Sequence, residues 1–495
     1  MKKKYIIGII LLAFTFGSCD KWLDVKPELD IYEETLFEKV QGYYIALNGL
    51  YIDMSVKELY GQELVWGAIE AWGRSYALDE IYHRSYMQIA KFEYDKQEAK
   101  SIASSIWLNC YKVIAEANNL IQNLENDHEV KFKYGDVTKN MILAEAYAVR
   151  SMMHFELVRI FAKAPVADNG GVSAFVPYVT KYPSLVNAPV PTKEMLQYLI
   201  SDLEKAKELI KPFDTDRQYP GGDLFSGSAA KLKLDGGASS NTAVDEFFQY
   251  RANRLNYYAI AQLLARVCLY AGENDKAFEN ANEVITYVDK GTSMRFVAPG
   301  YIGDPMVLST IEPRLHSEML FAPYNSKLST WTGDYFTASD NRVLTLNDKN
   351  GIFKTNSDDV RLDAIPQNMI TKFLVEGRAA SDMVVAKSLE PVLRFPECYY
   401  IAAEAVYAKD RAKAVEIFNK VVDARNNSIY NLPVDVAKDA FMEAIVQEYR
   451  REFLGEGQMV YVYKRLNLPL RENGTTVDHN GMLVMPVPDS EAGLQ

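Results

Sequence analysis

Helical segments recur along this 495-residue chain in pairs whose connecting turns are short, and this limits the architectures open to it. In the clearest pair, one helical face carries apolar residues at helical spacing, namely Ala277, Ala281, Val284, Ile285 and Val288. The preceding helix is predicted over Arg251–Tyr270 and ends at Ala271-Gly272, a typical stop signal. Two helices joined by so short a turn must lie antiparallel.

Three further helix pairs are predicted, and one of them is joined by an equally short turn. The predicted pairs are Glu33–Asp53 with Glu98–Leu124, Asn140–Ala162 with Thr192–Ile210, and Phe395–Ala408 with Arg411–Arg425. Thr192 follows Pro191 and is predicted to cap its helix, while Glu194 lies in the first turn. The sequence therefore predicts an all-α, tetratricopeptide-like array of helix pairs. Periodicity alone leaves a generic all-helical domain open.

Long irregular insertions interrupt the array, both between the pairs and within them, at residues 54–97, 163–191, 212–249 and 291–393. Loops of this length are uncommon inside a compact body and are often functional. We therefore expect the helices to form a scaffold and the insertions to form the working surface.

The N-terminus has the pattern of a secretory signal. Three lysines at positions 2–4 precede an uncharged stretch that is too short to cross a bilayer as a helix. The segment Phe16-Gly17-Ser18-Cys19 resembles a bacterial lipobox, which predicts removal of residues 1–18 and lipidation of Cys19 by acyl chains such as palmitate. Several acyl chains would anchor the body, residues 19–495, stably to a membrane. An ordinary cleaved signal with an incidental cysteine is the alternative.

Charge and cysteine content exclude several classes of protein. Removal of residues 1–18 takes away three lysines and no acid, which leaves a net charge of −15. So acidic a body is not expected to bind nucleic acid. Cys110, Cys268 and Cys398 are far apart and predict neither a disulfide framework nor a zinc site.

Catalytic and metal-binding signatures are missing from the sequence. It has no G-x-S-x-G, H-E-x-x-H or phosphate-binding glycine loop, and its five histidines are isolated. Asp348-Lys349-Asn350-Gly351 hints at a calcium turn but lacks the other ligands of such a loop. We predict no enzyme, no metal and no cofactor. A glycosidase stays open, because sequence cannot measure the separation of two carboxylates.

Aromatic and polar residues cluster in two insertions. The first insertion carries the candidate ligand-binding residues Trp66, Trp72, Arg74, Tyr76 and Asp79, with Tyr82 close by. The long insertion carries Trp331 and Tyr335, with Asp334, Phe336 and Tyr324 beside them. Aromatic rings can stack on the C–H faces of sugars while nearby polar groups bind hydroxyls, as in concave ligand sites generally. The alternative is that the rings anchor loops to the core.

Five segments in order resemble the SusD/RagB family of Bacteroidetes surface lipoproteins. They are Cys19–Pro27, Ala144–Arg150 with the stretch to Pro165, Leu393–Ala405, Glu448–Arg465 and Met485–Glu491. In the fourth segment, Met459 and Val462 stand where the family usually has an arginine and an aspartate. We interpret this as an ion pair replaced by an apolar contact, in a divergent branch of the family.

The resemblance implies a lipid-anchored outer-membrane protein that faces outwards. It also implies a SusC-like TonB-dependent barrel as partner, with this chain closing over a captured nutrient, most often a glycan. Because the family often places binding aromatics in its first large insertion, Trp72 and Arg74 are the leading candidates. A peptide-capturing lipoprotein of the same kind and an envelope scaffold that binds no nutrient stay open.

Overall fold

The computed structural model describes residues 35–184, 186–222, 246–248, 251–291, 294–303, 314–336, 341–353, 358–373 and 387–492. The signal segment and Cys19 lie outside these residues. The helices are α1 Val40–Met54, α2 Ala68–Trp72, α3 Arg84–Ala90, α4 Gln97–Asn126, α5 Asp136–Phe161, α6 Thr192–Thr215, α7 Tyr257–Ala271, α8 Asn274–Asp289, α9 Leu328–Phe336, α10 Lys349–Ile352, α11 Pro396–Val406, α12 Arg411–Ala424, α13 Lys438–Glu452, α14 Met459–Leu466 and α15 Asp489–Ala492.

The strands are short and form four antiparallel two-stranded pairs in the described parts of the chain. They are β1 Tyr76–Ala77 with β5 Thr345–Leu346, β2 Ala174–Pro177 with β3 Pro189–Pro191, β4 Met319–Phe321 with β6 Leu393–Arg394, and β7 Leu470–Glu472 with β8 Thr475–Val477. The chain is therefore built from helices, and its strands serve to fasten insertions together.

The predicted helix pairs are confirmed, and they stack on one another in series. α5 packs against α6, α7 against α8 and α11 against α12, while α1 lies against α4. Neighbouring pairs are joined by further packing of α4 on α5, α6 on α7 and α8 on α11. One hydrophobic core consequently runs through the stack from Tyr43 to Met485.

The predicted apolar face of α8 is the face that the structure buries. Ala277, Ala281, Val284, Ile285 and Val288 are all buried there. At the preceding turn Gly272 has a φ of +80°, a left-handed conformation that ends α7 and that glycine adopts at little cost.

The structure corrects one predicted helix cap and one predicted helix start. Pro191, and not Thr192, is the N-cap of α6, and no side chain caps this helix. α7 begins at Tyr257, six residues later than predicted, because the side chain of Asn256 accepts hydrogen bonds from two backbone N–H groups and caps the helix there. Arg251 lies instead in a short 3₁₀ turn, where its buried guanidinium pairs with Glu145 and with Asp214 at 2.7 Å.

Candidate functional site

Two aromatic side chains share one face of the short helix α9 in the long insertion. Trp331 and Tyr335 are four residues apart and therefore point in the same direction. Both are half-buried. The Trp331 indole lies directly on the backbone of Gly61, since a Cβ added to Gly61 would stand 2.7 Å from Cζ3 of the indole. The ring of Tyr335 lies 5.4 Å from that of Trp66 between centroids.

The first insertion and the long insertion are fastened together beneath this face. β1 pairs with β5 with Tyr76 opposite Leu346, and the N–H of Asn347 donates to the carbonyl of Ser75 at 2.8 Å. On the other side, Nδ2 of Asn325 donates to the carbonyl of Ser55 at 2.6 Å. Two segments about 270 residues apart in the chain thus form one surface.

Polar groups border the aromatic face. Arg342 lies 4.0 Å from the carboxylate of Asp334, and both side chains are exposed. The carbonyl of Arg342 is 2.9 Å from Nε2 of His83, and Nδ2 of Asn341 donates to the hydroxyl of Tyr82 at 3.3 Å. We call the resulting surface the insertion rim, defined by Tyr82, Trp331, Asp334, Tyr335, Asn341 and Arg342.

Three of the predicted ligand-binding residues are buried. Trp66 and Trp72 are 0 % exposed and Tyr76 is 2 % exposed. Nε1 of Trp72 donates to the hydroxyl of Tyr94 at 2.7 Å, and the Tyr76 hydroxyl donates to the carbonyl of Trp66 at 2.8 Å. In this conformation none of the three side chains can be reached by a ligand. The prediction that they form an exposed binding site is therefore corrected. Their rings anchor the first insertion to the core, because burial of large aromatic surface stabilises a loop strongly.

Arg74 and Asp79 each use one polar atom within the protein. Nη1 of Arg74 donates to Glu472 at 2.6 Å, and its guanidinium lies 5.5 Å from the ring centroid of Phe92. One carboxylate oxygen of Asp79 accepts from the N–H groups of Ile81 and Tyr82, at 2.8 and 3.2 Å. Asp79 therefore shapes the turn that presents Tyr82, and Arg74 links the first insertion to β7.

The sequence identified Trp331 and Tyr335 as binding candidates but none of the other four members of the rim. Asn341 and Arg342 had no signal in the sequence, because only the pairing of β1 with β5 brings their segment beside residues 79–84. Tyr82 had a signal, since it closes the aromatic cluster of the first insertion, and the structure leaves its side chain 45 % exposed.

An acidic side chain with a raised pKa lies next to the rim. Burial raises the pKa of Glu63 to about 7, although the N–H of Ala68 donates to its carboxylate at 3.0 Å and opposes the shift. Burial also raises the pKa of Tyr335, and the charges of Glu63 and Asp334 add to that effect. Near neutral pH this side of the rim can therefore change its charge.

Metal-binding geometry is not found among the described residues, in which no group of three or more His, Cys, Asp or Glu side chains is arranged to hold an ion. In the segment 348–351, which resembles a calcium-binding turn, Asp348 accepts a hydrogen bond from the N–H of Gly351 at 3.0 Å and pairs with Arg450 at 3.1 Å. Cys110, Cys268 and Cys398 are free thiols in buried positions, and burial raises the pKa of each. Their thiolate forms are thus disfavoured.

Of the helices that the structure describes, none is both long enough and apolar enough to span a bilayer.

Two family models match different parts of the sequence. Residues 21–220 match a family described as "Starch-binding associating with outer membrane", and residues 312–488 match the SusD family. Together the matches cover about three quarters of the chain. The chain belongs to the SusD family.

Relatives within the SusD family are distant in sequence. SusD-like protein P2 of Formosa agariphila is 25% identical over 250 residues, a stretch that covers 50% of this chain and only 46% of that protein. SusD-like protein P38 of the same organism is 21% identical over 531 residues, covering 97% of this chain and 95% of that protein. A solved SusD-like carbohydrate binding protein from Bacteroides vulgatus is 16% identical, with a TM-score of 0.63, and the match covers 92% of this chain and 96% of that one. This likeness confirms the predicted all-α fold.

The substituted SusD-family positions in α14 are filled by apolar packing. Met459 and Val462 are 5 % and 6 % exposed and both belong to the main hydrophobic core. Both side chains thus pack in the core of the protein. Arg465, three residues further on, makes two hydrogen bonds to Glu404, at 2.6 and 2.7 Å.

Proposed function

We propose that this chain is an outer-membrane lipoprotein that captures a glycan at the insertion rim and delivers it to a SusC-like TonB-dependent barrel. The observation that carries the proposal is the shared face of Trp331 and Tyr335. Two half-exposed rings, supported from below by Gly61 and Trp66, form a rigid apolar platform.

The surroundings of this platform suit a sugar. The C–H face of a pyranose can stack on the rings, and its hydroxyls need donors and acceptors placed around the edge. Asp334 supplies acceptors, Arg342 supplies donors, and the amide of Asn341 supplies both. A rim of this kind binds by matching many neutral hydroxyls and requires no catalytic group.

The membrane anchor and the transporter partner rest on the sequence and on family membership. Cys19 would carry the acyl chains, and the first matched family model is described as associating with the outer membrane. The Bacteroides vulgatus structure is named as a carbohydrate binding protein, which favours a glycan over a peptide as the captured nutrient.

A binding screen of the lipid-free chain from Asp20 tests the capture role. Trp331 is the reporter, because the other tryptophans that the structure describes, Trp66, Trp72 and Trp107, are buried. We expect saturable fluorescence changes and calorimetric heats with members of a glycan panel. Tyr82→Ala should weaken that binding about tenfold, as expected for the loss of about 1.4 kcal/mol of contact. Tyr301→Ala removes a tyrosine that is 49 % exposed outside the rim and should leave it unchanged.

The other outcomes of the screen separate the remaining functions. Binding of peptides in place of glycans would support the peptide-capturing alternative. Glycan binding that is unaffected by Tyr82→Ala and Trp331→Ala would overturn the rim as its site. Hydrolysis of a bound glycan would reveal a glycosidase. If no glycan or peptide binds and no barrel protein co-purifies, the envelope scaffold is favoured.

A further inference from the structure

A second cavity lies away from the rim, where α10 meets the C-terminal helices α12 and α13. Its volume is about 370 Å³, which falls within the range of about 300–1,000 Å³ that is typical of ligand sites. Phe418, Leu432 and Ala444 give it an apolar lining, and Phe353 and Tyr430 add aromatic rings. An apolar cavity of this size can hold one sugar ring or one aromatic side chain.

Arg451 lines this cavity with one nitrogen unused. The side chain is 7 % exposed, and its Nε donates to the carbonyl of Ile352 at 2.9 Å while Nη1 donates to Glu448. Its guanidinium lies 3.7 Å from the ring centroid of Tyr430. Nη2 makes no hydrogen bond to any residue within the described ranges. Nη2 can therefore donate to a hydroxyl or to a water in the cavity.

Amide groups complete the set of polar atoms. Nδ2 of Asn431 donates to Asp423 at 2.8 Å, which leaves its Oδ1 available as an acceptor. Asn350 is exposed at the edge and can both donate and accept. The nearby carboxylate of Glu443 is already held by Arg471. A sugar ring needs an apolar surface for its C–H face and separate donors and acceptors for its hydroxyls. This cavity provides both.

The charges favour a neutral ligand. Arg451 pairs with Glu448 in a buried network, in which Arg361 shares Glu448 and also pairs with Asp359 and Glu452. The arginines of this network are thus already paired with carboxylates, and Glu443 on the cavity wall is itself paired with Arg471, so no uncompensated charge favours an ionic ligand. A hydroxyl or ring oxygen can accept from Nη2 without bringing a charge into a partly buried place.

We propose that this cavity is a second saccharide site, which binds one neutral pyranose unit separately from the insertion rim. The unit would pack on the apolar lining and accept a hydrogen bond from Nη2 of Arg451. The segment 341–353 reaches both places, since Arg342 belongs to the rim and Asn350 to the cavity. Their Cα atoms are at most about 29 Å apart, the extended length of eight residues.

Saturation-transfer NMR on the lipid-free chain tests the proposal, with glucose, galactose, mannose and N-acetylglucosamine as separate probes. Ala444→Phe fills the cavity without removing an ion pair, and Ala412→Phe places the same ring at an exposed position of α12. We expect at least one sugar to bind, and its binding to weaken at least tenfold in Ala444→Phe but not in Ala412→Phe. Arg451→Lys keeps the charge beside Glu448, removes Nη2 and should weaken binding similarly.

The rim variant Trp331→Ala makes this test independent of the proposed function. Sugar binding that survives Trp331→Ala and is lost in Ala444→Phe supports the second site. Binding that survives both Ala444→Phe and Arg451→Lys overturns it, as does binding that is lost only in Trp331→Ala. Absence of binding by all four sugars to the unaltered chain also overturns it, whatever the longer glycans do at the rim. If Ala444→Phe fails to fold, as judged by circular dichroism, Arg451→Lys decides.

Discussion

The guanidinium of Arg425 donates two hydrogen bonds to the carboxylate of Glu318, at 2.8 and 2.7 Å, in a place where neither side chain is exposed. Arg425 follows α12, whereas Glu318 belongs to the long insertion just before β4. Arg394 and Glu452 join the same cluster, with Arg394 2.9 Å from Glu318 and 2.7 Å from Glu452. A buried ionic network thus holds the long insertion against the C-terminal helices.

Removing one partner of this network should destabilise the protein strongly. We expect Arg425→Met to cost about 3–5 kcal/mol, because it leaves buried carboxylates without their compensating charge. Lys420→Met on the same helix removes a half-exposed pair with Asp289 and should cost about 1 kcal/mol or less. Urea unfolding of both variants makes the comparison. Equal losses in the two would contradict the role of the network.

Acid should unfold the protein through the same network. Burial alone would raise the pKa of Glu452, but the charges of Arg425 and Arg394 outweigh it and hold that pKa well below its usual value. The unfolded chain therefore takes up this proton more readily than the folded chain. Stability is expected to fall as the pH drops below about 4.5. Urea unfolding between pH 6 and pH 3 measures this, and Glu452→Gln should show a flatter dependence despite its lower stability. A wild type that is equally stable throughout would refute the prediction.

Glu63 should give a dependence of the opposite sign. Its pKa is raised to about 7 in the folded protein, so the folded chain binds the proton more tightly than the unfolded chain. Stability should therefore decrease as the pH rises from about 4.5 to about 7 and then level off. Glu63→Gln removes the titrating group and should lose this decrease while the rest of the profile stays. The test is to measure the free energy of unfolding of the wild type and of Glu63→Gln from pH 5 to pH 8. If the two pH profiles are parallel, Glu63 is not responsible for the decrease.

The two kinds of tryptophan should respond differently to removal. Trp72→Ala is expected to cost about 3–5 kcal/mol, because it opens a cavity in the core and leaves the hydroxyl of Tyr94 without its donor. Trp331→Ala removes a half-exposed ring and should cost less than half as much. Thermal or urea unfolding tests this order. The reverse order would mean that Trp331, and not Trp72, anchors its insertion.

Gly61 should be essential to the shape of the rim. A Cβ there would stand 2.5 Å from the carbonyl oxygen of Ser55 and 2.7 Å from the indole of Trp331. We expect Gly61→Ala to cost about 1–3 kcal/mol and to shift the emission of Trp331 as the ring is displaced. Gly49→Ala is the matched control, since nothing lies within 4 Å of its added Cβ. Inside α1 this change should stabilise by about 0.5–1 kcal/mol. Unchanged emission in Gly61→Ala would contradict the contact.

Local patterns were sufficient to predict the scaffold. The spacing of Ala277, Val284 and Val288 identified the buried face of α8, and Gly272 marked the turn before it, because helix periodicity and a left-handed glycine depend on neighbouring residues alone. The start of α7 was predicted six residues too early, although Asn256 is a local capping signal. Arg251 has a helix-compatible sequence around it, but its pairing with Glu145, more than a hundred residues away, holds it in a 3₁₀ turn.

The site could be predicted only in part. The sequence by itself determined that aromatic residues gather in two insertions, and it named Trp331 and Tyr335 among them. Tertiary structure alone decided which rings meet solvent. Trp66 and Trp72 are fully buried, and Trp66 packs against the ring of Tyr335, whereas Trp331 is only half-buried. Exposure is set by which distant segment packs on a side chain, and here that was decided by the pairing of β1 with β5, a contact between residues about 270 positions apart.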